Sequence, residues 1–221
     1  MRTFVYESEA VDIPDWVNDL ESFRRWADAD DFPEKGQIWF LKGNVWVDMS
    51  KEQIFTHVSV KGKFAIVVGG LVEAGGLGEY LPDGALLSNE EADISGKPDG
   101  LFISTAGLDA KKVRFVEGME RGHVEIEGSP DMVLEVVSDS SVRKDTVVLR
   151  QAYWEAGVRE YWLVDARDDP PSFDILRHTA KGYVATPKKQ GWVKSAVFGK
   201  SFRLTRSTNP QGNPSFKVEM R

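Results

Sequence analysis

The chain has 221 residues, 41% hydrophobic and 29% charged, enough for a sizeable buried core and a composition that excludes a largely disordered protein. It has no cysteine, which removes disulfides, thiolate catalysis and cysteine-held zinc from consideration. The net charge of −7 argues against a nucleic-acid partner, but nine Lys/Arg against one acid from Lys181 onward put about +8 there and about −15 in residues 1–180. That basic quarter has two readings: a surface that tracks phosphates, or a solvated hairpin face neutralised by the acidic body.

The first residues, MRTFVYESEA, lack the basic start and apolar core of a signal peptide. The longest apolar stretch, Phe64–Val72, is short and interrupted by glycine, so no membrane span is expected and a cytoplasmic location is the default. Residues 12–28 predict a first helix, with Asp12 as cap, Pro14 in the first turn and a stripe of Trp16, Leu20, Phe23 and Ala27. Residues 37–49 read as a β-hairpin turning near Gly43-Asn44. Residues 51–74 keep a mostly helical spacing despite their β-branched content, and His57 on this segment reads as structural. The turn-rich run 75–100 holds a short strand near Ala85–Leu87 and ends at Pro98-Asp99, just before a strand at Leu101–Ser104. Residues 105–128 look mobile.

The stretch from Ser129 to Asp165 organises the rest. Residues 131–137 (DMVLEVV) are nearly all apolar, as in a strand covered on both faces. A helix over roughly 141–156 carries Val148, Ala152 and Ala156 on one stripe and stops at Gly157. Residues 160–165 (EYWLVD) then return as a second buried strand. Strand, helix and strand of these lengths form a right-handed crossover with parallel strands. After the turn RDDPPS the chain is β-like to its end.

Glu135 is the anomaly, because a lone ionised carboxylate inside MVLEVV costs several kcal/mol to bury unless it is paired or bound to metal. If its strand pairs with the one that follows Asp99, about 4.8 Å away, the two carboxylates can share a hard divalent cation such as Mg²⁺ or Mn²⁺. Such an ion activates water and offsets charge on a phosphate, the logic of phosphodiester hydrolysis. A phosphate-binding GxxxxGK[ST] loop, a HExxH pair and a GxSxG elbow are all absent.

Pro98-Asp99, PDMVLEVVS at 130–138, Lys144-Asp145 and AYWEAGVREYWLVDAR at 152–167 together resemble the Uma2 family of endonucleases, in the PD-(D/E)XK, restriction-endonuclease-like superfamily. GWVKSAVFGKSFRLTR at 191–206 resembles that family's closing strands. The resemblance implies an α/β fold: a mixed sheet with the parallel crossover, an N-terminal helix and hairpin, and C-terminal antiparallel strands. It divides the chain into an N-terminal helical extension (1–36), the nuclease domain (37–206) and a turn and strand completing it (207–221). It also implies Asp99 and Glu135 as metal ligands, aided by the backbone carbonyl of Val136 or Val137, with DNA as substrate and a possible homodimer. Tyr161 and Trp162 are expected to pack, and Asp131 to set the register of its strand. Two departures stand out. The lysine positions expected from the superfamily and the family hold Val137 and Leu149, which leaves Lys144 as the substitute, and the hairpin acid is missing around Trp39 and Phe40. The reading is therefore an Mg²⁺-dependent DNA endonuclease. The alternative is a degenerate nuclease fold that binds nucleic acid or protein without cleaving.

Overall fold

The computed structural model describes residues 2–6, 9–119 and 122–221. In chain order the elements are β1 (Arg2–Tyr6), β2 (Glu9–Ile13), α1 (Leu20–Ala27), β3 (Gln37–Leu41), β4 (Asn44–Asp48) and α2 (Ser59–Gly75). Then come β5 (Gly78–Pro82), β6 (Leu86–Asn89), β7 (Ile94–Gly96), β8 (Gly100–Ser104), α3 (Thr105–Asp109), β9 (Val113–Glu117), β10 (His123–Gly128) and β11 (Met132–Val136). The remainder is α4 (Arg150–Glu155), β12 (Glu160–Asp165), β13 (Ser172–Thr179), β14 (Gly182–Ala185), β15 (Lys188–Lys189), β16 (Trp192–Lys194), β17 (Ser201–Thr208) and β18 (Pro214–Met220).

The central sheet has the order β14-β13-β12-β11-β8-β5. Its β11–β12 pair is parallel, as the crossover requires, and its other pairs are antiparallel. Side chains alternate across β11. Met132, Leu134 and Val136 meet Val60, Phe64, Val68 and Val72 of α2, whereas Val133 joins Leu149, Ala152 and Tyr153 on the opposite face. That opposite face is also covered by the sheet β4-β3-β7-β6-β10-β9, through Trp39, Leu41, Leu87 and Ile94. The antiparallel sheet β15-β16-β17-β18 closes the α2 side with Phe202, Phe216 and Val218.

Both major helices are entered through a π-helical turn, Ile54–Val58 before α2 and Lys144–Leu149 before α4. Single π-turns widen a helix and often accompany functional sites. The helix Ile54–Gly75 is long and apolar enough by composition to cross a membrane. Its stripe of Val60, Phe64, Val68 and Val72 is buried on the sheet, while Ile54, Val58 and Ile66 are exposed. Gly157, with φ of 75°, ends α4 in the left-handed conformation expected of it.

The N-terminal helix is shorter than the sequence suggests. Val11 and Ile13 are buried with exposed Asp12 between them, so period-two burial makes this segment strand β2. The helix begins only at Leu20, where the Asp19 carboxylate accepts from Ser22 N at 2.8 Å and Ser22 Oγ accepts from Asp19 N at 3.0 Å. Trp16 therefore lies outside it, 42% exposed under the guanidinium of Arg25. Phe23 and Trp26 do pack inward, against Ile38 and Phe40 of β3. The stretch 105–128 is also more regular than expected: it forms α3 and the β9–β10 pair. Phe115 and Val124 face out, Glu125 is buried and the register shifts between His123 and Glu125, so no clean alternation announces the pair in the sequence.

Candidate active site

Glu135 follows Val133 on the β11 face turned toward α4, and only 2% of it is exposed. Tyr153 of α4 donates a 2.6 Å hydrogen bond to Glu135 Oε1. Asp99 stands one residue before β8, whose antiparallel register pairs Gly100 with Leu134. One step further along that ladder brings Asp99 beside Glu135, and Val136 N donates to Asp99 Oδ2 at 2.7 Å. Both carboxylates line a cavity of about 230 Å³ together with Asp48, His57, Lys144 and Asp145.

The charges around it are arranged in two groups. On one side Lys61 Nζ lies 3.4 Å from Asp99 Oδ1 and His57 Nε2 lies 3.6 Å from Asp99 Oδ2. The same lysine reaches Glu52 at 2.8 Å and Asp83 at 2.7 Å, while His57 Nδ1 is 3.5 Å from Glu52. On the other side Lys144 Nζ sits 2.9 Å from Asp145 Oδ1 and 4.8 Å from the centroid of the Trp39 ring. Ser141 Oγ donates to the other oxygen of Asp145, and Tyr161 Oη donates to the Asp145 carbonyl at 2.9 Å.

Burial pushes the Glu135 carboxyl well above its ordinary range, with Lys144 opposing and the charges of Asp99 and Asp145 adding to the rise. Burial also raises Asp99, against the pull of Lys61, His57 and the Val136 amide. Asp145 is raised by burial too, with Lys144 opposing. For Lys144 burial disfavours the ammonium, but Glu135 and Asp145 outweigh it and its pKa rises. His57 behaves alike: burial works against its charge, and Glu52 and Asp99 carry it upward. Glu52, beside His57 and Lys61, is held down to about 2.

Asp99, Glu135 and Lys144, the three residues singled out by sequence, thus meet at one cavity, and Val136 lines it with them. The two positions at which a lysine was expected, Val137 and Leu149, are buried in the interior. Arg150 turns away and donates to the Tyr183 carbonyl at 3.1 Å. Asp131 accepts from Ser104 N and Arg159 Nη1, both at 2.9 Å, which ties the start of β11 to the end of β8. Tyr161 and Trp162 are fully buried.

The hairpin does carry an acid at the cavity. It is Asp48, at the far end of β4 opposite Gln37, and not a residue near Trp39 and Phe40. It accepts from Ser140 Oγ at 2.6 Å and Ser50 N at 2.9 Å. Sequence reasoning missed Asp48 and Lys61, and it read His57 as structural. The available signal was a crowding of acids and hydroxyls around DMSKE at 48–52 and SDSSVRKD at 138–145.

Among the described residues no three His, Asp or Glu side chains gather closely enough to form a metal cage. Asp99, just before β8, and Glu135, in the paired strand β11, lie side by side with Asp48 and Asp145 also on the cavity wall, an oxygen donor set that suits a hard cation keeping most of its water. Burial is what raises both carboxyls, and a divalent cation between them would favour their ionised forms.

The fold is a mixed sheet with one parallel crossover, and Asp99 and Glu135 stand where its neighbouring strands meet the cavity. The chain belongs to the Uma2 family, whose description reads "Putative restriction endonuclease" and whose pattern matches residues 20–206. Its fold is similar to the crystal structure of a putative nuclease of the DUF820 group from Anabaena variabilis ATCC 29413, with a TM-score of 0.59 at 14% identity over 82% of this chain and 90% of that one. No curated protein matches the chain.

Proposed function

We propose that this protein is a metal-dependent endonuclease that hydrolyses phosphodiester bonds in DNA. The observation that carries the reading is the Val136 N–Asp99 hydrogen bond, which holds Asp99 beside Glu135 at a cavity that also contains Lys144. A hard divalent cation held by Asp99, Glu135 and the Val136 carbonyl would supply Lewis acidity, making water a better nucleophile and offsetting charge on the phosphate.

The chain's own groups support that chemistry in distinct ways. Tyr153 fixes the rotamer of Glu135. Lys144 keeps its proton because Glu135 and Asp145 stabilise the ammonium, so it acts as a fixed positive charge toward the phosphate and not as a general base. Asp145 and the Trp39 ring hold that ammonium at the cavity wall. Lys61 and His57 orient Asp99 from the α2 side.

A second reading has support in the same cations. Lys61, His57 and Lys144 already lie against the acids, as they would in a fold that binds its partner without cutting. The test is nicking of supercoiled plasmid and linear DNA in EDTA, Mg²⁺ or Mn²⁺ by the wild type and by Glu135→Gln. The nuclease reading expects metal-dependent cleavage that falls at least about a hundredfold in the variant. Cleavage of equal rate in both proteins, or none in any metal, rejects it.

A further inference from the structure

The carboxylate cavity opens into a second, larger space. A groove of about 850 Å³ runs along the edge strand β4 and shares Gln37, Asp48, Ser50 and Lys144 with the cavity. Its character is different. Trp39 and Trp46, a cross-strand pair of the β3–β4 hairpin, form its floor with Val148 of the π-helical turn. Trp46 is only partly buried, and exposed Arg143 places its guanidinium 5.9 Å from the Trp46 ring centroid. Lys144, which faces Glu135 on one side, also lines this groove. An aromatic floor with cations along the wall nearest the carboxylates matches an unstacked nucleobase whose phosphate lies toward those carboxylates. A base inside an intact duplex presents neither face, because both are stacked on its neighbours.

We infer that the groove receives one unpaired base next to the phosphate that is cleaved, so that the substrate class is a DNA strand carrying an unpaired or extruded nucleotide. The inference rests on the nuclease reading for the position of the phosphate. Trp46 supplies the stacking surface, and Arg143 and Lys144 hold the flanking phosphates.

The experiment is fluorescence anisotropy in EDTA, where binding is read without turnover. It compares a perfect duplex, the same duplex with one bulged adenosine, and that duplex with the bulged base removed to leave an abasic sugar. The bulged duplex is expected to bind wild-type protein about tenfold more tightly than the perfect duplex, an advantage the abasic probe loses because only stacking has been deleted. Trp46→Ala should lose the same advantage and Trp46→Phe should keep most of it. The abasic probe tests the idea on unaltered protein, so a poorly folding variant does not decide the outcome. Equal binding of bulged and abasic probes, or of bulged and perfect duplexes, or no binding of any, overturns the inference. The nuclease reading fails separately, by cleavage that survives Glu135→Gln, whatever the anisotropy shows.

Discussion

Glu135 and Glu160 are both buried acids on adjacent parallel strands of the same sheet, and they are held in opposite ways. Glu160, 1% exposed, accepts hydrogen bonds from Trp162 Nε1 (3.0 Å), Ser195 Oγ (2.6 Å), Ala196 N (2.5 Å) and Val197 N (3.2 Å). Its two oxygens are surrounded by donors, and the carboxylate staples the loop after β16 to the start of β12. Glu135 has a hydrogen bond from Tyr153 and otherwise faces other acids and Lys144 across a cavity. Burial of a charge is costly in both places, but only at Glu160 does the protein meet that cost with a full set of fixed donors. A buried acid with a complete shell holds structure together; one with a partial shell beside a cavity is equipped to take a ligand.

The largest effect that can break this comparison is on stability. Glu160→Gln replaces an acceptor oxygen by an amide that faces donors, and urea denaturation should show a loss of about 3 kcal/mol. Near pH 5, Glu135→Gln should change stability by less than about 1 kcal/mol without metal, since it keeps an acceptor for Tyr153. If the two losses come in the reverse order, the contrast between the residues is wrong. Next in size is the response to metal: at a hundredfold excess over Kd, Mg²⁺ or Mn²⁺ should stabilise the wild type by about 2.7 kcal/mol. Thermal melting should show the same shift in Glu160→Gln and none in Glu135→Gln.

A smaller effect concerns pH. The folded-state pKa of Glu135 lies above its unfolded value, so the folded protein holds that proton more tightly. Its contribution is full below the unfolded pKa near 4.5 and is lost as pH rises through the folded pKa, with a slope of at most about 1.4 kcal/mol per pH unit. Without metal, the stability of wild type minus that of Glu135→Gln should therefore decline from acid toward neutral pH. A difference that is flat or rises would remove the electrostatic basis of the account. Smallest is Asp131→Asn, which weakens one link between β8 and β11 and should cost about 1 kcal/mol while leaving the metal response intact.

Much of the frame was legible because burial leaves a pattern. The apolar runs around Val133 and Tyr161, the Ala152 stripe and Gly157 dictate the crossover, and Glu135 shows itself by interrupting one of those runs. Asp99 was legible only through its position before a strand and through family resemblance. Asp48 had only the crowded polar run DMSKE to mark it, and His57 and Lys61 had no local signal at all. Asp48 reaches the cavity through strand register, His57 through a π-helical turn and Lys61 through its contact with Asp99, all of which depend on segments distant in the chain. The N-terminal error has a simpler cause. Residues 12–28 satisfy a helical spacing, but Val11 and Ile13 belong to a strand of only five residues, too short for its alternation to stand out.

The most direct measurement is calorimetric titration of Mn²⁺ into the wild type, Glu135→Gln and Glu160→Gln at a pH where all three are folded. The account predicts one site in the wild type and in Glu160→Gln, and its loss in Glu135→Gln. Absence of binding to the wild type, or equal binding to Glu135→Gln, would contradict the claim that the Asp99–Glu135 cavity is a cation-dependent active site.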